Sequence, residues 1–184
     1  MTAKQKFLKE AVVLCDSREQ QNRHILEIFE QSGVKYEVCK LPVGDYSFKV
    51  NELDFRLQCA VERKANVNEL WGNISRERER FEKEIAAMKN LTGSADLIIE
   101  HCPDRDFLQN FTVPNRLMNY QGRKIPDIGR YIYSTLQSWS SANRYGLNIH
   151  YMRGNEGTAA LLLNIFYYYY HNYHELTKPL RKNA

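Results

Sequence analysis

Three short apolar runs break off into charge, and this pattern constrains the fold more than anything else in the chain. AVVLCDSRE runs into Asp16, Arg18 and Glu19. LPVGDYSF turns at Gly44 into Asp45. AVERK closes on Glu62, Arg63 and Lys64. A carboxylate at the end of a buried strand is costly unless it is solvated, paired or bound to a cation. Three such places within the first 64 residues predict strand ends that converge on one shared site.

The surrounding pattern alternates between strand and helix. Residues 20–31 place Ile25, Ile28 and Phe29 at helical spacing, and Gly33 is a natural stop. VKYEVCKLPVG is extended, with Pro42 at an edge or bend. DYSFKV and DFRLQCAVERK read as a hairpin across Asn51, Glu52 and Leu53. A long polar stretch from Asn66 to Lys89 puts Leu70, Ile74, Phe81, Ile85 and Met88 on one helical face, with a break near Gly72. ADLIIEH and LNIHYM are strands. Helices are predicted over Asp127–Ala142 and Thr158–Leu176, the latter followed by Pro179, and the segment between Pro103 and Pro126 reads as irregular. The order β-α-β-β-β-α-β-α-β-α predicts an α/β fold, a mixed sheet with helices on both faces.

Composition excludes several classes. With 184 residues, one domain with a substantial core is expected. Nine Gly and five Pro are too few for a collagenous or low-complexity chain, and 12 Tyr, 8 Phe and 2 Trp speak against disorder. No apolar run reaches the roughly 18 residues a membrane-spanning helix needs, and the start is too weakly apolar for a signal peptide. Cys15, Cys39, Cys59 and Cys102 lie far apart without a C-x-x-C pair; they read as free thiols in a reducing compartment. An intracellular, cytoplasmic or nucleoid-associated protein is expected. The formal charge of +4 permits a nucleic-acid partner without requiring one.

Strand geometry sharpens the charged cluster. Residues two apart share a face, so Glu62 and Lys64 point one way and Arg63 the other. If the hairpin pairs Val50 with Phe55, Asp45 lies opposite Ala60 and diagonal to Glu62 on one face. A slip of one residue would separate the two carboxylates. Carboxylates so placed can share a hard cation such as Mg²⁺, and a lysine beside them can serve an attacking water.

The strings VVLCDSRE, LPVGDYSF and AVERK resemble the nuclease domain of the XPF-type structure-specific endonucleases. That family's signature reads G-D-x(n)-E-R-K-x(3)-D after a strand ending in D-x-R-E. The resemblance covers about residues 11–176 of a single nuclease domain that spans 1–184, with a short basic C-terminal tail. It implies a restriction-endonuclease-like mixed central β-sheet flanked by helices. It implies a Mg²⁺- or Mn²⁺-dependent endonuclease that cuts branched or flap DNA and leaves a 5′-phosphate and a 3′-hydroxyl. It assigns Asp45 and Glu62 as metal ligands, assisted by a backbone carbonyl near Arg63, and Lys64 to the attacking water. Asp16 would complete the acidic cluster as a further ligand, and Arg18 would touch phosphate or hold the carboxylates. Arg63 would order the backbone or reach DNA, and Arg80 would contact phosphate.

Two departures stand out. After E-R-K the chain reads A-N-V-N-E-L, so strict spacing puts Asn68 at the last acidic position, and the acid-plus-leucine pattern puts Glu69 there. The tandem helix-hairpin-helix module usual in such relatives is absent from this sequence, which implies a stand-alone form. The alternative reading is a catalytically inactive DNA-binding or scaffold protein of the same fold.

Three further features invite a reading. Arg76, Arg78 and Arg80 alternate with Glu77, Glu79 and Glu82, which alone describes a solvated helix face. Arg116, Arg123, Lys124 and Arg130 form a looser basic stretch that could track a nucleic-acid backbone or be scattered surface charge. Tyr167 to Tyr170 and Tyr173 could stack single-stranded bases, but Leu162, Ile165, Phe166, Tyr169 and Tyr173 line one face of the last helix, which favours packing, and the resemblance implies that this helix forms a homodimer seam; His171 and His174 near its end suit C-terminal capping.

Overall fold

The computed structural model describes residues 1–93 and 95–181; the last three residues of the basic tail lie outside them. An N-terminal helix, α1 (Ala3–Glu10), precedes the first strand, and the sequence pattern did not show it. It is closed by a capping box in which Thr2 accepts the Gln5 N–H and Gln5 reaches back to Thr2. The elements that follow are β1 (Ala11–Asp16), α2 (Arg23–Gln31), β2 (Lys35–Cys39), β3 (Tyr46–Val50), β4 (Leu53–Asp54) and β5 (Val61–Lys64). Next come α3 (Val67–Ser75), α4 (Arg78–Thr92), β6 (Ala95–Ile99) and α5 (Arg105–Gln109). A 3-10 turn (Asn115–Leu117) leads to β7 (Asn119–Tyr120), β8 (Arg123–Lys124), α6 (Ile128–Ser140), β9 (Leu147–Tyr151) and α7 (Thr158–Arg181).

The sheet runs β2-β1-β3-β5-β6-β9, with β4 paired to β3. β1 is parallel to β2 and antiparallel to β3; β3 is antiparallel to β5; β5, β6 and β9 are parallel. The fold is therefore a mixed α/β sheet with helices on both faces, as the sequence order predicts. Strand parity divides the core. Val13, Phe48, Val61 and Ile98 face α1, α2 and α7, where Phe7, Phe29, Leu162 and Phe166 are buried. Leu97 and Ile99 face α3, α4 and α6, where Leu70, Phe81, Ile85 and Trp139 are buried.

Several boundaries differ from expectation. The long helical stretch splits at Arg76–Glu77, beyond Gly72, because α3 and α4 pack against each other as a hairpin. α7 runs to Arg181, past the Pro179 expected to follow it. The segment read as irregular holds α5 and the small β7–β8 hairpin.

The central hairpin also closes differently. Val50 pairs with Leu53, not Phe55, and the chain then leaves the ladder over residues 55–60 before Tyr46 meets Val61. Phe55 is drawn out of the strand because its ring is buried against Phe48 at 4.5 Å and beneath Tyr169 and Tyr173. The net shift from the expected register is two residues. An even shift preserves the face, so Asp45 and Glu62 stay together as direct neighbours, not diagonal ones.

The face of α7 assigned to a homodimer seam has found a partner inside the chain. Leu162 and Phe166 are fully buried, Phe166 stacks on Phe48 at 4.9 Å, and Tyr169 and Tyr173 cover Phe55. Tyr168 and Leu176 remain exposed on this helix. Because α7 continues beyond His171 and His174, neither stands at the helix end.

Candidate active site

Gly44 sets the geometry of Asp45. It adopts φ +68°, and a Cβ there would sit 3.1 Å from the Val61 carbonyl oxygen and 3.2 Å from Ala60 Cβ. Only glycine allows the chain to enter β3 so close to β5. The Asp45 N–H then donates to Val61 O at 2.9 Å, and the Arg63 N–H donates to Asp45 Oδ2 at 2.8 Å. The Asp45 carboxylate is thus anchored at the end of β5, beside Glu62.

Lys64 completes this face. Its Nζ donates to Glu62 Oε1 at 2.7 Å, lies 3.8 Å from Glu69 Oε1, and stands 4.7 Å from the centre of the Phe81 ring. The other Glu62 oxygen, Oε2, is buried with no hydrogen-bond partner among the described residues. All three groups line a cavity of about 340 Å³, together with Arg18, Glu19, Gln20, Gln21, Arg63, Glu69, Arg80 and Glu84.

The electrostatics follow from crowding. Burial, and then the Glu62 charge, push the Asp45 carboxyl well above its ordinary value. Burial also raises Glu62, and Lys64 offsets only part of the effect. Burial alone would lower Lys64; the charge and hydrogen bond of Glu62, with Asp45 and Glu69, hold it above its ordinary value as an ammonium. Two acids that resist ionisation side by side, one with an unmet buried oxygen, form a site short of positive charge.

On the opposite face of β5 the charges are matched within the fold. Arg63 is 2% exposed; Nη1 donates to Glu100 Oε2 at 2.6 Å, and Nη2 donates to Glu19 Oε1 at 3.1 Å and to Gln21 O at 2.9 Å. Glu100 follows β6 and also accepts Thr158 Oγ1 at 2.5 Å, with His24 Nε2 3.0 Å away. Of the two roles expected for Arg63, ordering the backbone has this geometry; the residue also lines the cavity, with its guanidinium held by two carboxylates and a carbonyl. Glu100, His24 and Thr158 were not foreseen. The signal for Glu100 existed, because it is another carboxylate at the end of a buried strand. Its partners are 37 to 76 residues distant in sequence, which hid its role.

Asp16 does not join the cavity lining. Its carboxylate accepts the Arg18 N–H at 2.8 Å, Arg18 Nε at 2.7 Å, Arg18 Nη2 at 3.0 Å and the Leu41 N–H at 2.7 Å. Burial raises the carboxyl, but these bonds outweigh it and leave Asp16 below its ordinary value. Among the described residues, no group of three or more His, Cys, Asp or Glu could hold a metal ion. Asp16 is absent from the cavity that Asp45 and Glu62 line. Arg18, clamped by Asp16, does line the cavity with its side chain 59% exposed.

Glu69 lies on the cavity and Asn68 does not. Asn66 caps α3 by accepting the Glu69 N–H at 3.0 Å, and Glu69 Oε2 accepts the Ala65 N–H at 2.8 Å, which turns the acid toward Lys64. Arg80 lines the cavity and is paired with Glu77 and, at 3.4 Å, with Glu84. Glu84 was missed because it is masked in the alternating charges of α4. Arg78 is turned away, with its guanidinium over the Trp139 ring and Nη1 3.4 Å from the Tyr131 hydroxyl.

A mixed sheet, layered by helices, that delivers two carboxylates and a lysine from adjacent strands into one cavity defines a nuclease-type α/β domain. Comparison with known proteins makes the family definite: residues 15–165 match the ERCC4 domain, and the chain belongs to that family. Among solved structures it is similar to "XPF from Aeropyrum pernix", with a TM-score of 0.56 and 20% identity over 92% of this chain and 68% of that one. A second is "XPF from Aeropyrum pernix, complex with DNA", with a TM-score of 0.56 and 21% identity over 84% of this chain and 62% of that one. The chain thus spans about two thirds of the length of these structures. No curated protein matches it significantly. Among the described residues, no helix is long and apolar enough to cross a membrane.

Proposed function

We propose that the chain is a divalent-metal-dependent endonuclease that hydrolyses phosphodiester bonds in DNA, with branched or flapped DNA as the preferred substrate. The observation that carries this reading is the buried, unpartnered Glu62 Oε2 beside an Asp45 carboxyl raised by burial and by its neighbour. A hard-oxygen pair of this kind suits Mg²⁺ or Mn²⁺, which are held by one or two carboxylates and keep several waters. When bound, such a cation would polarise the phosphoryl oxygens and lower the pKa of its water.

The chain's own groups have distinct roles in this reading. Asp45 and Glu62 hold the cation. Lys64, kept as an ammonium, donates a hydrogen bond to the attacking water or to phosphate. Glu69 keeps Lys64 aligned from the other side and fills the family's last acidic position in place of Asn68. Arg18 and Arg80, both largely exposed on the cavity rim, neutralise phosphate. Asp16 serves as the clamp that aims Arg18. Arg63 holds the β5 end, and with it Glu62 and Lys64, at fixed positions. Relatedness to an XPF structure described in complex with DNA supports the choice of substrate. A homodimer would use the exposed Tyr168 and Leu176 rather than the covered face of α7.

The test is cleavage of labelled flap, fork and plain duplex DNA in Mg²⁺, Mn²⁺ and chelator. Cleavage that needs the cation and vanishes in Glu62→Gln is expected. DNA binding without cleavage in any cation would move the chain to the scaffold reading.

A further inference from the structure

We propose that the β7–β8 hairpin and its flanks form a second DNA contact, gripping the phosphate backbone of the duplex arm beside the cleaved bond. This rests on the nuclease reading above and extends it to a surface outside the catalytic cavity. Four basic residues (Arg116, Arg123, Lys124 and Arg130) stand against one acid, Asp127, between Asn115 and Arg130. All four are exposed, and none of their side chains has a hydrogen bond or ion pair among the described residues. The basic side chains at the cavity differ: Arg18, Arg63, Lys64 and Arg80 are each paired with a carboxylate. Unpaired, solvated cations are the ones free to release phosphate counterions on binding.

Placement ties the hairpin to the site. Trp71 of α3 donates through Nε1 to Leu117 O at 3.0 Å, which ties the entry of the hairpin to α3, and the Ile125 N–H donates to Met118 O at 2.8 Å, which closes its two flanks on each other. Arg80, on the cavity rim, also lines an adjoining hollow that contains Arg76 and Glu79. Arg76 and Glu79 then line a third hollow, of about 390 Å³, with Asn119 and Gln121 of the hairpin. The surface is therefore continuous from the carboxylates to the hairpin. Acids along the way are neutralised locally, Glu77 by Arg80 and Glu79 by Lys83 at 2.7 Å, while Arg76 is exposed and unpaired among the described residues. At the tip, Gln121 and Gly122 adopt φ +48° and +75°, the two positive angles a tight two-residue turn requires. The turn holds Arg123 at a defined place instead of on a loose loop.

The experiment measures binding of a labelled flap duplex in calcium buffer across a salt series, for the wild type, Arg123→Ala/Lys124→Ala and Lys9→Ala/Lys35→Ala. The last removes equal charge from exposed positions remote from the hairpin. Circular dichroism checks that each variant is folded. Loss of two phosphate contacts predicts a fall of about 2 in the slope of log K against log salt, and roughly tenfold weaker binding at moderate salt, in the hairpin variant alone. Equal behaviour of the two variants, with wild-type binding intact, overturns the hairpin contact. Wild-type protein that binds no DNA overturns the nuclease reading and the contact with it.

Discussion

The two faces of β5 carry the same kind of residue and do opposite things. On one face Glu62 and Lys64 meet Asp45 in a cavity, and Glu62 Oε2 has no partner. On the other, Arg63 is enclosed by Glu100, Glu19 and Gln21, and Glu100 in turn is met by Thr158 and His24. Each network keeps one buried atom without a partner among the described residues, Arg63 Nε on one side and Glu62 Oε2 on the other, but the Arg63 charge is matched by two carboxylates while Asp45 and Glu62 share only Lys64. The difference separates a network whose charges are matched within the fold from one whose two acids resist ionisation side by side. Under the proposed function, the unmet face is the one that would receive a cation, because a site already satisfied by its own protein has nothing to offer a ligand.

Breaking the matched face has the largest expected effect. Arg63→Leu leaves Glu100 buried, and Glu19 half-buried, without their cation and is expected to cost about 3–5 kcal/mol in urea unfolding. Arg63→Leu with Glu100→Leu should recover part of that loss, because an uncompensated buried charge costs more than an apolar pair. A single variant that unfolds like wild type would show that the network is not structural.

On the unmet face, Lys64→Met is expected to lower the cleavage rate on flap DNA by roughly 10²–10³-fold, the usual loss for one preorganised electrostatic donor. A rate within threefold of wild type would remove Lys64 from the mechanism.

The contrast sharpens further with Asp45→Asn. This change retains an acceptor for the Arg63 N–H and removes the repulsion with Glu62. Activity should disappear while the melting temperature in chelator rises by roughly 2–4 °C, the shift that about 1 kcal/mol makes in a chain of this size. A lower melting temperature would mean that the two carboxylates are not in conflict.

The smallest effect concerns pH. Asp45 and Glu62 have raised values in the folded state, so the fold binds their protons more tightly than the unfolded chain does. Their contribution favours the fold at acid pH and is lost as pH rises from the unfolded value, near 4, through the raised ones. Asp16, lowered instead, contributes stability that is lost only as pH falls toward and below the unfolded value near 4, so it adds almost no slope above pH 5. In chelator the melting temperature should fall by a few degrees between pH 5 and 8. Mg²⁺ should restore it at pH 8 more than at pH 5, and Asp45→Asn should flatten the profile. A flat wild-type profile would contradict the unmet-face assignment.

The charged strand ends were legible because a strand has period two. The parity that places Asp45, Glu62 and Lys64 on one side survives any even change of register. The change that occurred was even, although its cause, the burial of Phe55 under α7, was not readable from local pattern. The N-terminal helix was missed because its eight residues carry only one buried side chain, Phe7, too little to show a period. Asp16 looked equivalent to Asp45 in sequence, and only the tertiary path of Leu41 and the fold-back of Arg18 turned it into a clamp.

By itself the sequence determined the mixed α/β order, the pairing of faces at the charged strand ends and the family to which they belong. These follow from periodicity and short-range spacing, which the chain carries locally. Tertiary structure alone decided which charges are matched and which stay unmet. Glu100 reaches Arg63, Tyr169 and Tyr173 cover Phe55, and the hairpin joins the cavity through Arg76 and Arg80. Each of these is a meeting of residues far apart in sequence, and burial, which sets the energy of every charge involved, exists only once they have met.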